Sequence, residues 1–308
     1  MPLYRSPLPV ANSVASSGCP CPACRFGRGA CEPARPVRCP SGMSDAEWQV
    51  TEPLLPLPAW RWGRGGRPEK HCRRKTVDVI RYVVDNGCKW RALPADFPPH
   101  PTVYAFFTRW ERAQYADDLH DILRDRLRRR ADRDIEPSAA VTGSPSLRAA
   151  ETVAGDSRGW DAGKKANGHK RHLAVGTLGL MLVVLVTAAS VQDRDGARPL
   201  ISRLRQIHHR IALVRADGGY AGKLATWAKE RWNLTLEIVK RSDDAQGFIV
   251  LPRRRAVERT LSWICRHRRC VRDYERLPAH HEAMVKWSMI ILTTRRPVRT
   301  APHPHTTP

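Results

Sequence analysis

The sequence predicts a mixed α/β domain preceded by a small all-helical module. Three observations point there. From about residue 138 onward, short apolar runs of strand length alternate with amphipathic helical stretches. Residues 44 to about 131 are instead helical in period, with loops marked by Pro and Gly. Charge is the third: 53 Lys plus Arg against 30 Asp plus Glu, a formal +23. An excess of that size repels itself and exists to meet a polyanion, which favours a cytoplasmic protein that binds nucleic acid.

The elements follow in order. Residues 1–42 hold Pro, Gly, Ser, Arg and Cys without period and read as a disordered extension before a natural start at Met43. Five of the nine cysteines lie in that stretch, but "CPCPAC" with Cys31 and Cys39 does not give the paired C-x2-C pattern of zinc ribbons, and no His accompanies it. An odd count argues against a disulfide framework. Ser44 and Glu47 form an S-x-x-E capping box that opens a helix. "TVDVIRYVVDNG" (76–87) is helical, with Gly87 as its stop. "TVYAFFTRWERA" (102–113) places Val103, Phe106, Phe107 and Trp110 on one face, and "DDLHDILRDRLRRR" (117–130) does the same with Leu119, Ile122, Leu123 and Leu127. Three short helices with arginines outside suit a helix-turn-helix-like module, with Arg64, Arg67, Arg73 and Arg74 in and beside the Gly-rich loop as DNA contacts.

In the second part, "AAVTGSPS" is a short strand. "KRHLAVGT" and "GLMLVVLVTAAS" are a strand pair turning near Thr177-Leu178-Gly179. Helices are expected over 197–209, 221–232 and 256–269, and strands over 211–217 and 234–240. The longest apolar run, residues 178–191, is too short to span a bilayer. No signal peptide is expected, because residues 1–25 lack an apolar core segment. The tail after Pro297 has no period.

One carboxylate stands out. Asp217 ends the apolar strand "IALVRAD" at a Gly-Gly turn, and ligands collect at strand ends in such sheets. A second, Glu258, sits in "PRRRAVERTLSW" among Arg253, Arg254, Arg255 and Arg259. An acid so surrounded stays ionised and suits a divalent cation beside phosphates. From spacing alone, Glu258 reads more readily as a surface acid paired with its arginines.

The blocks "SRGWDAGKKANGHKRHLAVGTLGL", "VQDRDGA", "ADGGYAGK", "TLEIVKRSDDAQGFIVLPRRRAVERTLSWICRHRR" and "DYERLP" resemble bacterial insertion-sequence transposases of the DDE class. "GCKWRALPADFPP" and "TVYAFFTRW" resemble the helical domain that precedes the catalytic core in that family. The resemblance runs in order from residue 43 to about 296. It implies an RNase H-like core over 132–296 behind a helical DNA-binding domain over 43–131. It further implies three carboxylates holding two Mg²⁺ ions, action on terminal inverted repeats and target DNA, and a homodimer that brings two ends together. Two such metals activate the attacking oxygen and steady the leaving one in displacement at phosphorus. In that pattern Asp217 is the second acid and Glu258 the third, with Arg254 one helical turn before it.

The first acid belongs in a block reading Ile-Asp-Ser-Gln-Ser-Val, where this chain has "VTGSPSLRAAE". Matching Ser144 and Ser146 puts Gly143 at the catalytic position, and Pro145 replaces Gln. Gly176 is a further departure, where relatives carry Asp. The expectation is therefore a transposase with impaired catalysis. Lys164, Lys165, Lys170 and Arg171 are expected to contact phosphate, as is Arg259 on the last helix. Asp193 and Asp195 read as a turn and helix-cap pair.

Overall fold

The computed structural model describes residues 21–26, 39–63, 65–239 and 255–299. Helix α1 (Pro22–Phe26) is one short turn. Helix α2 (Asp45–Thr51) opens at the expected capping box: Glu47 N–H donates to Ser44 Oγ at 3.2 Å, and Ser44 N–H donates to Glu47 Oε2 at 2.9 Å. Helix α3 (Arg73–Asn86) stops at Gly87, whose φ of 70° is the left-handed cap that a glycine accepts without strain. Helices α4 (His100–Arg112) and α5 (Tyr115–Arg130) follow, burying the predicted faces of Val103, Phe106, Phe107 and Trp110 and of Leu119 and Leu123.

The sheet then begins. Its strands are β1 (Ala139–Gly143), β2 (Ser146–Arg148), β3 (Gly159–Asp161), β4 (Ala166–Gly176), β5 (Met181–Ala188), β6 (Leu213–Ala216) and β7 (Thr235–Ile238). Strand β4 is antiparallel to β1 and β2 along one edge and to β3 and β5 along the other. Beyond β1 the sheet turns parallel through β6 to β7. The β4–β5 turn falls where expected and uses Gly179 at φ 75°. The helices of this part are α6 (Asp193–Ile207), α7 (Lys223–Trp232), α8 (Arg255–Cys265) and α9 (Pro278–Arg299). Parallel strands need crossovers, and α6 and α7 supply the helices that make them.

The period of two along each strand sends alternate residues to two cores. Ala140, Ala174, Val214 and Ala216 face α6 and α7, packing on Leu200, Leu204 and Leu224. Val141, Leu173 and Val175 face the other way, toward Val257 and Ile264 of α8 and Met284 and Ile290 of α9.

Three findings differ from expectation. First, α6 starts at Asp193 rather than 197 and carries Pro199 within it. Second, α9 was not foreseen. Its segment from Ala283 to Ile291 is buried almost throughout, so no amphipathic period marks it, and it runs to Arg299 past the expected end at 296. Third, part of the stretch expected to lack structure is packed: Cys21 and Ala23 of the α1 segment are fully buried. Helices α2 to α5 share one continuous core with α8 and α9 instead of closing a core of their own. A buried ion pair joins that junction: Arg81 Nη2 on α3 meets Glu47 Oε1 at 2.8 Å, and Arg81 Nη1 donates to Thr294 Oγ1 of α9 at 3.1 Å. No helix among the described residues is long and apolar enough to cross a membrane.

Candidate active site

The site is built where the parallel strands end. β1 and β6 run side by side in register, Val141 opposite Arg215. Two residues further along, Gly143 ends β1 and Asp217 follows β6. Asp217 leaves the strand with extended backbone and caps the short 3-10 turn Gly218–Tyr220, its Oδ1 accepting from Gly219 N–H at 3.0 Å. Glu258 is half-buried in the first turn of α8. The preceding residue, Val257, packs on β1: a Cβ added at Gly143 would meet Val257 Cγ2 at 3.1 Å. The end of β1 therefore lies between the element carrying Asp217 and the element carrying Glu258, and the residue there brings no side chain.

A polar cluster flanks this end. Lys164 Nζ donates to the Ser144 carbonyl at 2.6 Å. Lys170 Nζ lies 2.9 Å from Asp193 and 3.3 Å from Asp161. Burial alone raises the Asp161 carboxyl, but the Ser146 hydroxyl at 2.5 Å, the Lys164 N–H and Lys170 outweigh it and hold the group at about 2. Asp193 does not cap α6; Gln192 holds the cap position and Asp193 is the first helical residue. Its carboxylate turns toward the Asp217 turn instead: a Cβ at Gly219 would lie 3.0 Å from Asp193 Oδ2 and 3.1 Å from Asp217 Oδ1. Tyr220 is fully buried beneath. Burial pushes its phenol up, and Asp193 and Asp217 add to that. Asp193 is thus a neighbour of the candidate site that sequence reasoning set aside; the signal missed was its place four residues before a buried helix face.

The expected phosphate contacts divide. Lys164 and Lys165 are exposed on the loop between β3 and β4, and Arg67 is exposed on the Gly-rich loop. Arg171 is a correction: it is 1% exposed, its Nε donates to His281 Nε2 at 2.6 Å, and its Nη2 donates to the Cys270 carbonyl. Alternation along β4 turns Arg171 inward toward α9. Lys170, on the opposite face, is 5% exposed and held between Asp161 and Asp193. Arg73 is likewise buried, its guanidinium taken by Glu69 at 2.7 Å and by the Pro56 carbonyl. Arg74 is half-buried against Asp45 and the Met43 carbonyl. Arg259 is exposed but stacks on Trp263 and would crowd any side chain at Gly179, so it sits at the β4–β5 turn, away from Asp217. Arg64 and Arg254 lie outside the described residues.

A sheet in which the antiparallel pair β5 and β4 lies beside three parallel strands, β1, β6 and β7, with an acid at the end of β6 and another on the helix covering β1, defines an RNase H-like core of the DDE type. The comparisons agree. Residues 139–293 match the Transposase DDE domain family, and residues 43–120 match a family of transposases of the IS4/5 group. The "Insertion element IS402 uncharacterized 16.2 kDa protein" of Burkholderia cepacia is 32% identical over 109 residues, 35% of this chain and 73% of that one. The chain belongs to the DDE transposases of insertion sequences. DDE transposase domains generally use divalent metal ions. Asp217 and Glu258 have the hard oxygen donors such an ion takes. Position 143 offers no side-chain donor, and the space its side chain would enter is bordered by Val257.

Proposed function

We propose that this transposase binds the terminal inverted repeats of its element, as a homodimer on double-stranded DNA, and that its Mg²⁺-dependent strand cleavage and transfer are impaired. The observation that carries the reading is Gly143 at the end of β1, level with Asp217 and packed on the residue before Glu258. Asp217 and Glu258 are the residues that would hold Mg²⁺ and are the remaining catalytic acids. Losing one unit charge at about 4 Å from another at an effective dielectric of about 20 removes roughly 4 kcal/mol, and more beside a divalent ion. Lys164 and Lys165, exposed beside that end of the sheet, and Arg67 on the Gly-rich loop are suited to backbone phosphates. The formal +23 charge supports a polyanionic partner and predicts steep salt dependence.

A second reading shares the DNA binding and omits the cutting: a remnant that occupies inverted repeats and interferes with intact copies. One assay separates the two. Full-length protein is incubated with terminal-repeat DNA and Mg²⁺ or Mn²⁺, and binding and nicking are read together. Salt-sensitive binding with weak nicking that Asp217→Ala removes supports the first reading. Binding with no nicking under either ion supports the second. Vigorous cutting by the natural sequence, lost in Asp217→Ala, refutes the impairment.

A further inference from the structure

We infer that Cys21, Cys24 and Cys72 hold a structural Zn²⁺ ion that fastens the N-terminal segment to the start of α3. Three thiols from two segments far apart in sequence converge, with their sulfur atoms all within 4.8 Å of one another. Cys21 and Cys72 are 0% and 1% exposed. Their sulfurs stand 3.8 Å apart. That separation is far beyond a disulfide bond of about 2.05 Å. It equals the edge of a tetrahedron whose centre lies about 2.3 Å from each sulfur, the Zn–S bond length.

Local structure explains how the sulfurs meet. Cys21-Pro22-Ala23-Cys24 is a C-x2-C unit, and the N–H groups of Cys24 and Arg25 both bond to the Cys21 carbonyl at 3.0 Å. That turn sets residues three apart on one side, which brings the second sulfur back over the first. Cys72 occupies the N-cap position of α3, yet its side chain makes no capping bond there. Zinc accepts three thiolates and one donor more, from a further side chain or from water. The partner of the C-x2-C unit is thus a single cysteine 48 positions past Cys24, which no short-range spacing pattern reveals.

The ion would anchor the C-terminal end of the loop that carries Arg67, since Cys72 follows that loop directly. The test uses the full chain, purified without chelator, for metal analysis and for cobalt replacement. One equivalent of zinc and an intense sulfur-to-cobalt charge-transfer band are expected. Cys24→Ser and Cys72→Ser should each lose or sharply weaken that band, whereas Cys265→Ser, at an exposed thiol outside the cluster, should keep it. Absence of zinc together with absence of the band in the natural sequence overturns the proposal, and needs no variant to fold. So does an unchanged band in Cys72→Ser, or a Cys21–Cys72 or Cys21–Cys24 disulfide found by peptide mapping.

Discussion

At Gly143 and Gly196 the missing side chain has opposite meanings. A Cβ at Gly196 would fall 2.1 Å from the His172 ring, so any side chain there forces that buried ring or α6 to shift. Gly196→Ala should cost about 1–3 kcal/mol, as overpacking does, and lower the denaturant midpoint without changing the slope. At Gly143 the neighbour is a valine methyl at 3.1 Å, which must give by a few tenths of an ångström. Gly143→Asp should therefore fold, and should raise Mg²⁺-dependent cleavage by about a thousandfold, the rate equivalent of roughly 4 kcal/mol. Adding Asp217→Ala or Glu258→Ala to that variant should erase the gain, measured on the same terminal-repeat DNA. The histidines set a pH dependence. Burial, reinforced by Lys170 and opposed by Asp193, holds His172 at about 4, and burial with Arg124 beside it holds His208 at about 4. Both values lie below the unfolded 6.5, so between about 4 and 6.5 the unfolded chain binds more protons. Stability should be full above about 6.5 and fall by a few kcal/mol as pH drops to about 4. Urea melts across that window, repeated on His172→Gln and His208→Gln, check the sign; a flat profile rejects it.

Single elements were legible where one face meets water. The stripes of α4 and α5, the capping box of α2 and the glycine stop of α3 each carry their own chemistry within a few residues, and each stands where the spacing puts it. Strand β5 was legible as a β-branched run and β4 as its partner across the turn at Gly179, and Asp217 was legible as an acid at a strand end. What escaped has a common cause: its determinants are distant in sequence. Helix α9 is covered on all sides, so its period is silent. Arg171 and Lys170 share a basic run, but only the pleat of β4 decides that one faces His281 and the other Asp193. The junction of α2, α3 and α9 is equally hidden, because Glu47 also reads as a capping residue. Glu47→Ala should cost about 3–5 kcal/mol, since Arg81 would stay buried beside a lost partner. Arg81→Met with Glu47→Leu should recover most of that in a thermal melt, because a pair of apolar side chains needs no counterion. If the single and double variants melt alike, the ion pair is not what the junction depends on.

The molecule as a whole is stitched from its two ends. Helix α9 packs on α2, α3, α4 and α5 as well as on β5, so the first helices and the last belong to one core around the sheet. Ending the chain before Pro278 should leave neither part folded. Limited proteolysis and one-dimensional amide spectra of such a truncation should show loss of protection in residues 44–131 as well as in the sheet. Synthesis adds a timing consequence. About 150 residues separate the end of α5 from the start of α9, which at about 5–20 residues per second is on the order of ten seconds or more. During that interval the apolar faces of α3 to α5 are outside the ribosome without their cover, a substrate for chaperones and proteases. A copy of the gene broken anywhere upstream of α9 would thus release a product that the cell clears before it can occupy DNA, and only transcripts read through to the final helix would yield a protein that lasts.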